Sequence, residues 1–211
     1  MVLNFGQNLF GSQGLFKNSP EDNQVLEFQG SRELPKDLIV STTSSNPRTM
    51  ADDNAVGTIT WSNVDNAKAD DTSYADASIT SATATHYLKA TNFAFSIPTG
   101  ARIDGIIVDI LKVGVGPPIK DPANDSEVKI VKSDGSIGTT NKAIATDWPP
   151  NTSERTDTYG GAADLWGETW KASDINDTDF GVVISADRTT TLEGNPDPKV
   201  DLITITIHYS I

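Results

Sequence analysis

The sequence predicts an all-β protein, an antiparallel jelly-roll-like β-sandwich of about eight strands that follows an extended N-terminal arm. Three observations carry this expectation. From about Leu38 onward, short apolar runs are separated by Gly, Pro, Asn, Asp and Ser, the spacing of strands and turns. The last run, 200–209, alternates cleanly: Ile203, Ile205, Ile207 and Tyr209 share one face, and Thr204, Thr206 and His208 share the other. The stretch NFAFSIPTGARIDGIIVDI, residues 92–110, sets two apolar runs around Pro98-Thr99-Gly100. There proline fixes one φ and glycine permits a reversal or crossover.

Taken in order, residues 1–37 scatter Leu3, Phe5, Leu9, Phe10, Leu15 and Phe16 among glycines and amides, matching neither the helix nor the strand period. Such an arm cannot bury six large apolar groups by itself, so these residues are expected to lie on the chain's own sandwich (38–211) or on a neighbour. A frayed terminus is the plain alternative. Strands are expected at 38–43, 57–62, 87–96, 103–113, 126–132, 137–145, 180–186 and 200–209. Within 126–132, Val128 and Ile130 alternate with Glu127 and Lys129, and Ser133-Asp134-Gly135-Ser136 supplies an Asp-Gly turn into 137–145. Phe93, Phe95 and Ile97 alternate on the strand before the break, and within 103–113 Ile106, Val108 and Ile110 alternate on the strand after it. Ile103 and Ile107 fall on the other parity, which predicts a strand covered on both faces. The proline-rich stretch 114–124 reads as an exposed connection. Residues 145–180 form an unusually long loop holding three of the four tryptophans, with one helical turn at Ala172-Ser173-Asp174-Ile175 capped by Ser173.

Composition narrows the function. With 16 Lys and Arg against 29 Asp and Glu, the formal charge is −13, so the average surface repels phosphate backbones and anionic lipid. Neither nucleic acid nor a membrane is expected as a partner. The absence of cysteine removes disulfides, thiolate metal sites and Cys nucleophiles. The N-terminus lacks a basic n-region and a continuous apolar h-region, so synthesis and folding in a cytoplasm are expected.

No catalytic residues are expected. There is no G-x-S-x-G elbow, H-E-x-x-H pair or P-loop, and His86 and His208 read better as surface polar groups than as ligands. No cofactor is expected beyond structural calcium, for which the weak candidates are Asp174, Asn176, Asp177 and Asp179, with Asp52, Asp53, Asp70 and Asp71 behind them. The Asp174–Asp179 run lacks the glycine and closing glutamate of an EF-hand, and Asx turn capping explains it equally well. Trp148, Tyr159, Trp166 and Trp170 could form an aromatic platform for glycans; capping one end of the core is the favoured alternative.

Four motifs in this sequence resemble a β-sandwich module of tailed-bacteriophage virion proteins. They are TWSNVDNA at 60–67, YLKATNFAFSIPTGARIDGI at 87–106, YGGAADLWG at 159–167, and FGVVISA at 180–186 followed by a last strand. The resemblance spans about Thr60 to Tyr209 and leaves the arm outside. It implies a virion structural protein, most concretely a capsid decoration or cement protein. Its partners would be the major capsid protein or other virion proteins, and copies of itself as a trimer or dimer. The rival expectation is a tail-fibre or baseplate protein whose tryptophan loop binds receptor glycan.

Overall fold

The computed structural model describes residues 39–80, 83–115, 122–150, 153–188 and 196–211. All belong to the unit Leu38–Ile211; the arm and its residues Leu3, Phe5, Leu9, Phe10, Leu15 and Phe16 lie outside the described residues. Among the described residues nine strands follow in chain order: β1 (Val40–Ser45), β2 (Thr49–Asp53), β3 (Ala75–Asp76), β4 (Tyr87–Thr91), β5 (Arg102–Val115), β6 (Ala123–Val131), β7 (Arg155–Gly161), β8 (Gly181–Arg188) and β9 (Asp197–Ser210). They form two sheets, β1-β9-β5-β7 with β3 on β9, and β2-β4-β8-β6, and every named pairing is antiparallel. The all-β sandwich expected from the alternating runs is therefore the fold. From β4 to β9 the chain changes sheet at every step.

The core lies between the sheets. Ile106, Val108, Ile110, Ile203, Ile205 and Ile207 come from one side, and Leu88, Val128, Ile130, Val182 and Ile184 from the other. Fully burying each such side chain contributes roughly 1.5–3 kcal/mol, which is what makes the alternation specify the register. An aromatic row continues the core, with Phe93 stacked on Phe95, Phe95 tilted on Phe180, and Trp170 edge-on to Phe180 at 5.4 Å.

Several expectations need correction. Residues 57–62 make only isolated bridges, Ile59 to Thr85 and Ser62 to Asp76. The strand expected over 87–96 ends at Thr91, because Asn92 and Ala94 adopt left-handed φ of 57° and 54°, which turns Phe93, Phe95 and Ile97 all inward without a ladder. The Asp-Gly turn forms, with Gly135 at φ 78° and its N–H on the Lys132 carbonyl. Its partner 137–145 is not a strand, because the Asn141 side chain takes the place of main chain: its Oδ1 accepts from Val128 N–H at 2.9 Å and its Nδ2 donates to the Ser126 carbonyl at 3.1 Å. The helical turn at Ala172–Ile175 is present, but the Asp174 carboxylate rather than Ser173 caps it, accepting from the Lys171 N–H at 2.9 Å.

The parity of Ile103 also has a different cause. Ile103 pairs with Tyr209 and Gly105 with His208, so Asp104 is an extra residue, a β-bulge that lets Ile103 and Ile106 both face the core. Ile107 is only half-buried, and no second covered face is needed. A bulge at Ser126 in β6 likewise turns Asp125 inward, and one at Asp201 in β9 lies opposite Leu111 and Lys112.

Candidate functional site

Four places in the sandwich gather groups capable of chemistry or binding. The first lies inside it. Lys112 continues the inward parity of Ile106, Val108 and Ile110 and is fully buried. Its Nζ is 2.5 Å from Asp125 Oδ1, 3.0 Å from Asp157 Oδ2 and 2.6 Å from the Tyr159 hydroxyl, and it sits 4.7 Å above the Trp148 ring. Asp125 reaches across from the other sheet and collects three further donors: Trp148 Nε1 on Oδ1 at 2.8 Å, and the Tyr159 hydroxyl and Ile144 N–H on Oδ2 at 2.7 and 3.1 Å. Arg155 grips Asp157 through Nε and Nη2 at 2.6 and 2.8 Å. Burial alone would raise the Asp157 carboxyl, but the Arg155 hydrogen bonds and the Lys112 charge hold it below the ordinary carboxylate range. Burial, with the Asp125 charge beside it, pushes the Tyr159 phenol far up, so it remains an O–H donor.

The second place is a group of three carboxylates, Asp70, Glu154 and Asp201, each with an oxygen within 4.8 Å of the others. Asp201 is buried and accepts from the Asp71 and Thr72 N–H groups, while the Tyr74 hydroxyl donates to Glu154 at 2.6 Å. Burial raises the Asp201 carboxyl, the two N–H groups lower it, and the charges of Glu154 and Asp70 raise it further; the net direction is up. The hydrogen bond to Glu154 lifts the Tyr74 phenol to about 12.

The third is a cleft of about 480 Å³ at the edge of the four-stranded sheet, lined by Asp52, Asp53, His86, Lys89 and Thr91. His86 Nδ1 and Asp52 Oδ2 are 2.8 Å apart, Asp52 Oδ1 accepts the Trp61 N–H, and Lys89 pairs with Asp53 at 3.1 Å. The fourth is a cleft of about 510 Å³ between the Pro98-Thr99-Gly100 turn and the helical turn, with Trp170 in its wall beside Thr99, Lys171 and Ser173.

The chain matches no protein-family model, no curated protein and no solved structure.

These placements revise the site residues expected from sequence. Trp148, Tyr159, Trp166 and Trp170 are 3, 2, 0 and 8% exposed, so they form no open platform for a sugar. Their polar atoms turn inward: Trp166 Nε1 donates to the Ile106 carbonyl at 3.0 Å and Trp170 Nε1 to the Leu165 carbonyl at 2.9 Å. Asp174, Asn176, Asp177 and Asp179 do not converge as ligands. Asp174 and Asp177 cap local turns, and the Asn176 amide bonds both the N–H and the carbonyl of Ile97. Of the second-rank candidates, Asp70 alone belongs to the carboxylate group; Asp71 Oδ1 accepts from the Ser73 N–H. His208 Nδ1 lies 3.2 Å from the Thr42 hydroxyl on the outer face. The Lys112 network was not anticipated. A lysine at the end of an inward stripe, Ile106-x-Val108-x-Ile110-x-Lys112, was its one sequence signal.

Proposed function

We propose that the chain is a structural protein of a tailed-phage virion, a capsid decoration or cement protein that binds the capsid surface and neighbouring copies as a trimer or dimer. The motifs from Thr60 to Tyr209 supply the virion part of this reading, and the alternation of sheets between β4 and β9 supports a jelly-roll course for the sandwich. The observation that carries an assembly role is the edge strand β1. Ile39 and Ile211 exchange both main-chain hydrogen bonds, so by alternation Val40, Thr42 and Ser44 aim their N–H and carbonyl groups away from β9. Among the described residues no strand pairs with that edge. Its sequence, VSTTSS, holds none of the charges or prolines that blunt an edge. Beside it Ile39, Val40 and Ile211 are 57, 68 and 43% exposed, an apolar corner of the sandwich.

The mechanism is passive. Strand addition and apolar contact at this corner hold each copy, and symmetry-related copies add avidity. A chain lacking residues 1–36 is expected to keep a cooperative melting transition and to be missing from purified particles. Full occupancy by the truncated chain would overturn the arm's part in attachment, and antibody label on tails rather than heads would overturn the capsid assignment.

The Trp170 cleft favours a second reading, glycan binding by a tail fibre or baseplate protein. Because Trp166 and Trp170 are core residues, Lys171→Ala and Ser173→Ala on a glycan array test it without unfolding the chain. A decoration protein shows no sugar signal to lose.

A further inference from the structure

We propose that Lys112 and Asp125 join through an amide bond that ties the two sheets together covalently, with Asp157 as the proton acceptor. This goes beyond the virion reading and does not depend on it.

A buried ion pair is an expensive way to fill a core. Taking both charges out of water costs more than aliphatic side chains of the same volume would, and removing one partner strands the other. Here Lys112 Nζ and the Asp125 carboxyl are both fully buried, on facing sheets, and 2.5 Å apart. The carboxyl carbon is one bond beyond Oδ1, close to the roughly 3–3.5 Å separation of a near-attack arrangement. A second carboxylate, Asp157, touches the same nitrogen at 3.0 Å, and Arg155 keeps it ionised and in place. An ion pair needs one carboxylate; condensation needs one as electrophile and another as base.

The donors around Asp125 divide the work between its oxygens. Oδ2 is held by the Tyr159 hydroxyl and the Ile144 N–H, a two-donor pocket for the negative charge that collects when nitrogen adds to the carbon. Oδ1, held by Trp148 Nε1, is the leaving oxygen. Asp157 takes one proton from the Lys112 ammonium, and the freed lone pair forms the Nζ–Cγ bond. The Cγ–Oδ1 bond then breaks. Oδ1 departs as water carrying two protons, one returned by Asp157 and one released from the nitrogen as it becomes the amide N–H. The products are one amide and one water, Asp157 is regenerated, and nothing is oxidised or reduced. The indole and phenol rings around Nζ keep bulk water from the bond once it forms.

The test is the intact mass of the full-length chain after denaturation, followed by peptide mapping. The expected result is a mass lower than the sequence requires by one water, with a branched peptide linking Lys112 to Asp125. Asp157→Asn keeps the packing but cannot accept the proton, and is expected to fold and retain the full mass. Lys112→Arg is expected to retain the full mass as well. A folded wild-type chain at full mass after prolonged incubation would overturn the bond. A mass deficit that persists in Asp157→Asn would overturn the role given to Asp157.

Discussion

Asp164 and Asp201 titrate in opposite directions, and their environments say why. Burial would raise the Asp164 carboxyl, but Lys142 at 2.6 Å and the Trp166 N–H at 2.8 Å favour its charged form and hold it below the ordinary range. Its contribution to stability is therefore present above the unfolded carboxylate pKa and is lost as the pH falls through the lower folded value. Asp164→Asn is expected to melt lower than wild type at pH 7 and to converge with it only as the pH falls through the lowered folded value, below the ordinary carboxylate range. Asp201 runs the other way. Its folded pKa is raised, so its contribution is fully present in acid and is lost as the pH rises through the folded value, leaving repulsion from Asp70 and Glu154 at neutrality. Asp201→Asn keeps an oxygen for the Thr72 N–H and is expected to raise the melting temperature at pH 7 by about 2–4 °C. Thermal melts of the two variants from pH 3 to pH 8 check both signs. Single residues of this kind were only partly legible in sequence: Asp164 belongs to a recognisable loop motif, whereas Asp201 meets Asp70 and Glu154 only through the fold.

At the scale of elements, strands with apolar alternation were legible and strands with polar inner faces were not. β8 and β9 were expected nearly where they lie, because Val182, Ile184, Ile203, Ile205 and Ile207 announce a buried face. β7 was read as loop because its inward residues are Asp157 and Tyr159, whose polar atoms both meet Lys112, with Arg155 on the first and Asp125 on the second, rather than forming an apolar stripe. The YGGAADLWG motif likewise proves to be structural. Gly160, at φ 79°, lets Trp166 lie against the strand: a Cβ there would stand 2.3 Å from the Ile106 carbonyl oxygen and 2.7 Å from Trp166 Nε1. Gly160→Ala must therefore displace the indole or the strand and adopt an unfavourable φ. Denaturant titration is expected to show a loss of about 3 kcal/mol or more, against about 1–2 kcal/mol for Gly135→Ala, whose Cβ meets open space and which carries only the conformational cost.

For the whole molecule, the edge at β1 sets the expected behaviour. Under the assembly role proposed above, copies are expected to associate through this bare, uncharged edge next to exposed Ile39, Val40 and Ile211. Thr42 aims its main chain outward and its side chain onto the polar outer face, so Thr42→Lys adds a charge at the edge without entering the core. It is expected to leave the melting temperature within about 2 °C of wild type while lowering the sedimentation coefficient and particle occupancy. An unchanged oligomer would move the interface elsewhere. Composition had already set the sign of the surface; which edge lies open depended on the pairing of the first and last strands, a contact between distant parts of the chain that periodicity does not encode.

The bulge at Ser126 has a consequence for chain length. Asp125 pairs with Ala186 and Glu127 with Ser185, two consecutive partners on β8, so Ser126 is the residue the ladder does not count. Losing it would make β6 regular while keeping Asp125 inward and Val128 and Ile130 in the core. Gaining a residue there would turn Asp125 to solvent and leave Lys112 buried opposite nothing of opposite charge on that sheet. Between Asp125 and Val128, then, this gene can tolerate a lost codon more readily than an added one, and single-codon insertions there should be the changes that selection removes first.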